Sequence, residues 1–275
     1  MRRECYLVLR SSMLNYAAII PHPPFAIEGL KQSQTDVLKD TIHAIKSVGE
    51  DLMALNIDTL VLLTIHGERY ERALGIALHD PNVASLKEFG DLRDDVIFPP
   101  DMRLADKIQR AVRHSDYHST MTTNETLDHA TSVPLVLLKE YVQGMRVLPL
   151  TAPVDEPRAI VGLGEVIRRA IDDSTKRVAV LAVAELSQRL SELSLGGVHP
   201  HAAMFDESIR TALVDGNSLP LLKPTTKELE EIGGQELDAI RLFWGILDTT
   251  ECRFEERAYE HPLGVGYLTI VAHIK

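Results

Sequence analysis

The sequence predicts an α/β protein built as one domain, with buried strands alternating with amphipathic helices. Three observations carry that prediction. Short apolar, β-rich runs alternate with longer helical patterns along the whole chain. The runs are apolar throughout instead of at every second residue, which is the pattern of strands covered on both faces. No internal repeat or low-complexity linker divides the chain, and 275 residues at 45% apolar composition suffice for one large core.

In chain order, the predicted strands are "YAAIIP" (16–21), "TLVLLTI" (59–65), "LGIALH" (74–79), "MRVLPLT" (145–151), "RVAVLAVA" (177–184) and "GVGYLTIVAHI" (264–274). Between the first two, Leu38, Ile42, Ile45, Leu52 and Leu55 recur at helical spacing and make one buried stripe. A second helix is predicted over 131–143. A third carries Ile160, Leu163, Ile167 and Ile171, and a fourth starts near Gln235 with Leu237, Ile240, Trp244 and Leu247 on one side. The pair Gly233–Gly234 before it permits a sharp turn into the helix. The polar stretches 80–100 and 215–227 read as long loops, lids or partner surfaces. Residues 1–12 read as an appendage, with Met13 opening a folded part that spans 13–275.

Composition narrows the function classes. Forty acidic and 29 basic residues leave a formal charge of −11, which argues against nucleic acid or an anionic membrane surface as the main partner. Only Cys5 and Cys252 are present, so neither a disulfide framework nor a thiolate zinc site is expected, and a reducing cytoplasm is the natural setting. "YLVL" near the start is too short for a signal-peptide core, and no run of about 18 apolar residues occurs. GxSxG, P-loop and HExxH motifs are absent. "GLGEVI" (162–167) lacks the preceding strand that a dinucleotide loop requires.

The informative histidines, among eleven, stand where strands end. His22 follows "AAII" between Pro21 and Pro23–Pro24, on backbone stiffened by the prolines. His66 follows "LVLLTI" and precedes Gly67. Ligands in open α/β sheets bind beyond the carboxyl ends of strands, so two such histidines can converge on one cleft. Two imidazoles and a carboxylate make a facial triad with open metal positions, and Glu236, at the start of the last helix, is the candidate acid. Each residue also has a plain alternative: His22 in a strand-ending loop, Glu236 complementing the helix dipole. Asp128 and His129 stand at a helix mouth, where Asp128 can simply cap. His199 and His201, in "GGVHPHAAMFD", lie in a loop that either folds over the cleft or is a solvated turn. His261 reads as an ordinary residue leading into a strand.

"IIPHPP", the "HG" at 66–67, "DHATSVPL", "LAVAELSQRL", "GVHPHAAMFD", "GGQELDAIRLFWGIL" and "YEHPLGVGYLTI" occur in one order and spacing. That series resembles the class III extradiol ring-cleavage dioxygenases, the LigB-like family typified by the catalytic subunit of protocatechuate 4,5-dioxygenase and related to Memo-type proteins. The resemblance runs from residue 14 to 273. It implies a mixed, mostly parallel sheet flanked by helices, and non-haem Fe(II) held by His22, His66 and Glu236. It also implies a small aromatic substrate opened beside its diol by O₂. By the same resemblance the chain is expected to be a homo-oligomer. His129, at the family's "DHG" histidine, would hydrogen-bond a substrate oxygen.

The chain departs from the family pattern in two places. Gln188 stands where the "LSH" motif carries its acid–base histidine, and Ala130 replaces the "DHG" glycine. Glutamine donates and accepts hydrogen bonds but exchanges no proton near neutrality. The resemblance then implies catalytic positions at His129, Gln188 and His201 and substrate contacts at His129 and His199, with His199 or His201 replacing the acid–base group that Gln188 cannot supply. An aminophenol or an already acidic catechol would need less such help. The alternatives are a Memo-like metal-binding protein or non-catalytic subunit that has lost ring cleavage, and, more remotely, a zinc or manganese hydrolase using metal-bound water.

Overall fold

The computed structural model describes residues 13–194, 196–248 and 250–275, so the expected appendage at 1–12 lies outside the described residues. Along the chain run β1 (Leu14–Ile20), α1 (Lys39–Ala54), β2 (Thr59–Thr64), β3 (Ala73–Ala77), β4 (Asn82–Ala84) and β5 (Val96–Phe98). They are followed by α2 (Met102–Arg113), β6 (His118–Thr122), α3 (His129–Leu137), β7 (Arg146–Thr151), α4 (Pro157–Asp172) and β8 (Val178–Val183). The last third holds α5 (Ala202–Asp215), α6 (Leu219–Leu222), α7 (Thr226–Ile232), α8 (Leu237–Leu247), β9 (Cys252–Glu260) and β10 (Tyr267–Ile274).

The eight-stranded sheet has the order β6-β3-β7-β2-β8-β1-β10-β9. The pairs β3–β6, β2–β7, β2–β8 and β1–β8 are parallel, whereas β3–β7, β1–β10 and β9–β10 are antiparallel. The sheet is therefore mixed and mostly parallel, and the chain is a single α/β domain. Strand side chains alternate between two cores. Val61, Leu63, Val180 and Ala182 pack with Leu163, Ile167, Ile240 and Phe243 of α4 and α8. Leu60, Leu62, Ala179 and Leu181 pack with Ile45, Val48, Leu52 and Leu135 of α1 and α3. Burial on both faces explains why these strands carry no polar alternation.

Several expected elements are corrected. Leu55 lies past the end of α1 and is exposed, because Asn56 adopts φ 50° and turns the chain away. The helix expected over 131–143 spans only His129–Leu137. Irregular turns take over from Leu138, which keep Leu138 and Val142 buried. The loop 80–100 contains the two-stranded β4–β5 ribbon, and 215–227 contains α6 and the start of α7, whose Thr225 and Glu228 form a capping box. The edge strands β6 and β9, "HSTMT" and "CRFEERAYE", were not expected. Lying at the two ends of the sheet, they keep polar and charged residues, which is how sheet edges avoid further pairing.

All of α8 is buried, not just the one side expected. It crosses α4 so closely that a Cβ on Gly245 would overlap the Val161 carbonyl oxygen and one on Gly164 would overlap that of Leu242. Gly245→Ala must therefore push the two helices apart. It is expected to lower the unfolding free energy by about 2–3 kcal/mol, the scale of core overpacking, as read from urea melts. The contact matters for function because α8 begins immediately after Glu236.

Candidate metal centre

His22 and His66 each stand two residues beyond a strand, β1 and β2 respectively. Gly67 is required after His66, since a Cβ there would overlap Thr151 Oγ1. Far along the chain, a turn at Gly233, at φ 70°, delivers Glu236 to the start of α8. The three side chains meet. His22 Nε2 and His66 Nε2 each lie 3.0 Å from a different carboxylate oxygen of Glu236. The three ligand atoms all fall within 4.8 Å of one another. His22 and Glu236 are buried at 3% exposure, while His66 is half-buried and faces the cleft. Among the described residues, no other trio of His, Cys, Asp or Glu converges in this way.

A buried network holds this arrangement from behind. Arg69 donates to the Ala152 and Pro153 carbonyls at 3.1 and 2.9 Å and also pairs with Asp238. Asp238 in turn accepts from the fully buried Arg241 at 2.7 Å, and Arg241 donates to the carbonyls of Leu221 and Pro224. The loop after β2 is thereby tied to the first turn of α8, three residues from His66 and two from Glu236.

Electrostatics favour a cation at the centre. Burial pushes the Glu236 carboxyl up, but the charge of His22 and hydrogen bonds from His22 and His66 outweigh it and hold Glu236 well below the ordinary range. Burial pushes the His22 imidazole down, yet the Glu236 and Glu185 carboxylates raise it above its usual value. Two imidazole nitrogens and one carboxylate, with no thiolate, fit a divalent transition metal in a facial triad with positions left for other ligands. The buried Nδ1 of His22, which has no hydrogen-bond partner, is the second nitrogen that a metal-ligating histidine normally shares with an outer acceptor.

His129 joins the site as the first residue of α3. Its ring centroid lies 4.7 Å from that of His66 and 5.5 Å from that of His22. Asp128 does cap α3, accepting from the Thr131 N–H at 2.9 Å. Burial, followed by the charges of His22 and His66, lowers the His129 imidazole and favours its neutral form. Beside His66 and His129 opens a cleft of about 670 Å³, walled by Leu127, Pro149, Thr151 and Asn124, a size suited to a small ligand. Gln188 also reaches the centre. Its backbone N–H donates to the Gly233 carbonyl at 3.1 Å and its side-chain amide to Glu236 Oε1 at 3.4 Å.

His199 and His201 lie elsewhere. They are not brought to the triad: their rings lie 5.7 Å apart beside a separate groove lined by Met204, Phe205, Pro220 and Ile232. "HPH" forms the turn into α5, with His201 exposed at its N-cap. Two buried acids carry no signal in the sequence. Glu185 follows β8 and donates its backbone N–H to Glu236 Oε2 at 2.6 Å. Asp206 of α5 accepts from the Ser187 N–H and the Tyr259 hydroxyl, both at 2.8 Å, and so pins the loop that carries Gln188. Spacing gives no warning of either, because each meets its partners only through tertiary contacts.

Burial raises Asp206 from its ordinary 3.8 to about 7, against the hydrogen bonds from Ser187 and Tyr259 and the charge of Arg210. Between those values the folded chain keeps a proton that the unfolded chain has lost, so stability falls as pH rises through this window. Asp206→Asn is expected to flatten that decline. The difference in slope from the parent, read from urea melts between pH 4 and 8, is up to about 1.4 kcal/mol per pH unit.

A sheet whose strand ends present two histidines to a helix-borne glutamate beside an open cleft defines an α/β protein able to hold a metal ion. Residues 16–269 match the family model for the catalytic LigB subunit of aromatic ring-opening dioxygenase, and the chain belongs to that family. Protein CA_C1420 of Clostridium acetobutylicum is 23% identical over 92% of this chain, which spans about half, 56%, of that relative's length. The crystal structure of uncharacterized protein JW3007 from Escherichia coli K12 shares the fold. Its TM-score is 0.66 at 13% identity, covering 93% of this chain and 98% of that one. No helix among the described residues is long and apolar enough to cross a membrane.

Proposed function

We propose that His22, His66 and Glu236 hold Fe(II), with Mn(II) or Zn(II) as competitors. On this reading the chain is an extradiol-type dioxygenase that cleaves a catechol- or aminophenol-type ring with O₂. The meeting of three sequence-distant ligands at 3.0 Å spacings beside a cleft supports this reading above all else. When bound, the metal supplies adjacent positions for a chelating diol and for O₂. His129, held neutral and facing the cleft, takes a proton from a substrate hydroxyl or donates one to a substrate oxygen. Leu127 and Pro149 supply an apolar wall for the ring. Lys87, the one lysine or arginine lining the cleft among the described residues, is engaged by Asp95, while Glu68 lines the same cleft and accepts from Asn124 at 2.9 Å. A diol without a carboxylate therefore suits the cleft better than a carboxylated one.

The test is anaerobic loading with Fe(II), titration with catechol and a carboxylated catechol, and then admission of O₂. About one iron per chain, tighter binding of the uncharged diol and consumption of O₂ are expected. A chain that is fully loaded with iron but leaves a panel of catechols intact would sink the ring-cleavage reading. Gln188 favours a second reading, a metal-binding protein that keeps the triad and the cleft but has lost turnover.

A further inference from the structure

β8 lies between β1 and β2, parallel to both. Continuing the register that pairs Ile20 with Val183, and the one that pairs Leu63 with Ala182, past the strand ends sets His22 and His66 level with Glu185. Glu185 is buried, at 7% exposure. Its carboxylate oxygen Oε1 lies 3.8 Å from His22 Nδ1, the atom that has no hydrogen-bond partner. The Gln188 amide donates to Glu236 Oε1 at 3.4 Å and lies beside the Glu185 carboxylate. A buried imidazole N–H and a buried carboxylate are both costly to leave unpaired, and here they face each other.

We propose that Glu185 is a positioning residue for the metal centre. Its carboxylate accepts the Nδ1–H of His22 and thereby fixes the tautomer that turns the Nε2 lone pair toward the ion. Rotation about the terminal torsion of Glu185, which is soft, closes the remaining distance. The Gln188 amide, with two N–H groups, sits between the two carboxylates and keeps both turned to their histidines. At this place it acts as a strut instead of a proton carrier. This inference rests on the metal-centre reading. The backbone N–H that Glu185 gives to Glu236 is available from any residue, so only its side chain is at issue.

Zn(II) affinity is measured by chelator competition for the parent, Glu185→Gln and Glu185→Leu. The His22 tautomer is read by ¹⁵N-histidine NMR of the Zn(II)-loaded proteins. The leucine variant is expected to bind Zn(II) about 10- to 100-fold more weakly, the usual effect of losing an outer partner of a ligand. The glutamine variant, which keeps an acceptor oxygen, should lose less. The parent should show a protonated, solvent-protected Nδ1, with that protection lost on Glu185→Leu. Unchanged affinity in the leucine variant, or an Nδ1 without a proton in the parent, overturns the proposal. If the leucine variant does not fold, the parent tautomer and the glutamine variant's affinity decide. A parent chain that binds neither Zn(II) nor Fe(II) removes the metal-centre reading itself.

Discussion

Glu236→Ala is expected to abolish divalent metal binding and to destabilise the metal-free chain by about 3–5 kcal/mol, the cost of breaking a buried charge pair. The carboxylate of Glu236 is the hub of the site. It faces both imidazoles and accepts the Glu185 N–H and the Gln188 amide. Removing it leaves four polar groups with no common partner, of which the His22 imidazole and the Glu185 N–H are buried away from water. Glu236→Gln separates the two effects. It keeps one oxygen for Glu185 or Gln188 and so should recover part of the stability, but it offers the metal a neutral ligand and should stay far weaker in binding. Calorimetric titration with Fe(II) or Zn(II) and urea melts on the same proteins check both halves. Retention of parent-like metal affinity in the alanine variant would place the ion elsewhere.

Gln188→His is the second large effect. The glutamine side chain already points at Glu236, so a histidine at this position places a titratable nitrogen beside the triad without moving the backbone, which is held by the Gly233 carbonyl. General acid–base groups contribute about 10²- to 10⁴-fold, and a rise of that size in O₂ consumption with catechol is expected, measured by electrode on iron-loaded protein. The substitution also removes the amide bond to Glu236, so the rate is compared at full iron loading of both proteins. No rise in rate, with metal and catechol both bound, would favour the metal-binding reading over a weakened enzyme.

The parts of this molecule that were legible in the sequence are those where one physical requirement dominates. β1, β2, β7 and β8 are buried on both faces, so their apolar runs have no competing explanation. His22 and His66 were visible because each directly follows such a run, and Glu236 because two glycines announce the turn before its helix. Legibility fails where a residue's role is set by its neighbours in space. β6 and β9 look polar because each lies at an edge, and α3 ends early although its apolar stripe continues through turns. His199 and His201, in a loop after two glycines, looked as promising as His129 at its helix mouth. Only packing decides that α5 turns its first residues toward another groove. Glu185 adjoins an apolar strand and read as part of a motif whose interest lay three residues on.

Placing β8 between the two histidine-bearing strands also sets the size of guest that the centre can hold. The backbones that carry His22 and His66 are two inter-strand spacings apart, about 9.5 Å, a gap that a pair of inward-leaning imidazole rings spans to grip one small ion. Backbone hydrogen bonds of the ladder maintain that gauge, so lengthening the peripheral loops leaves it untouched and frees them to diversify around a constant core chemistry. A one-residue insertion within β1 or β2 does the opposite, rotating a ring to the other side of the sheet.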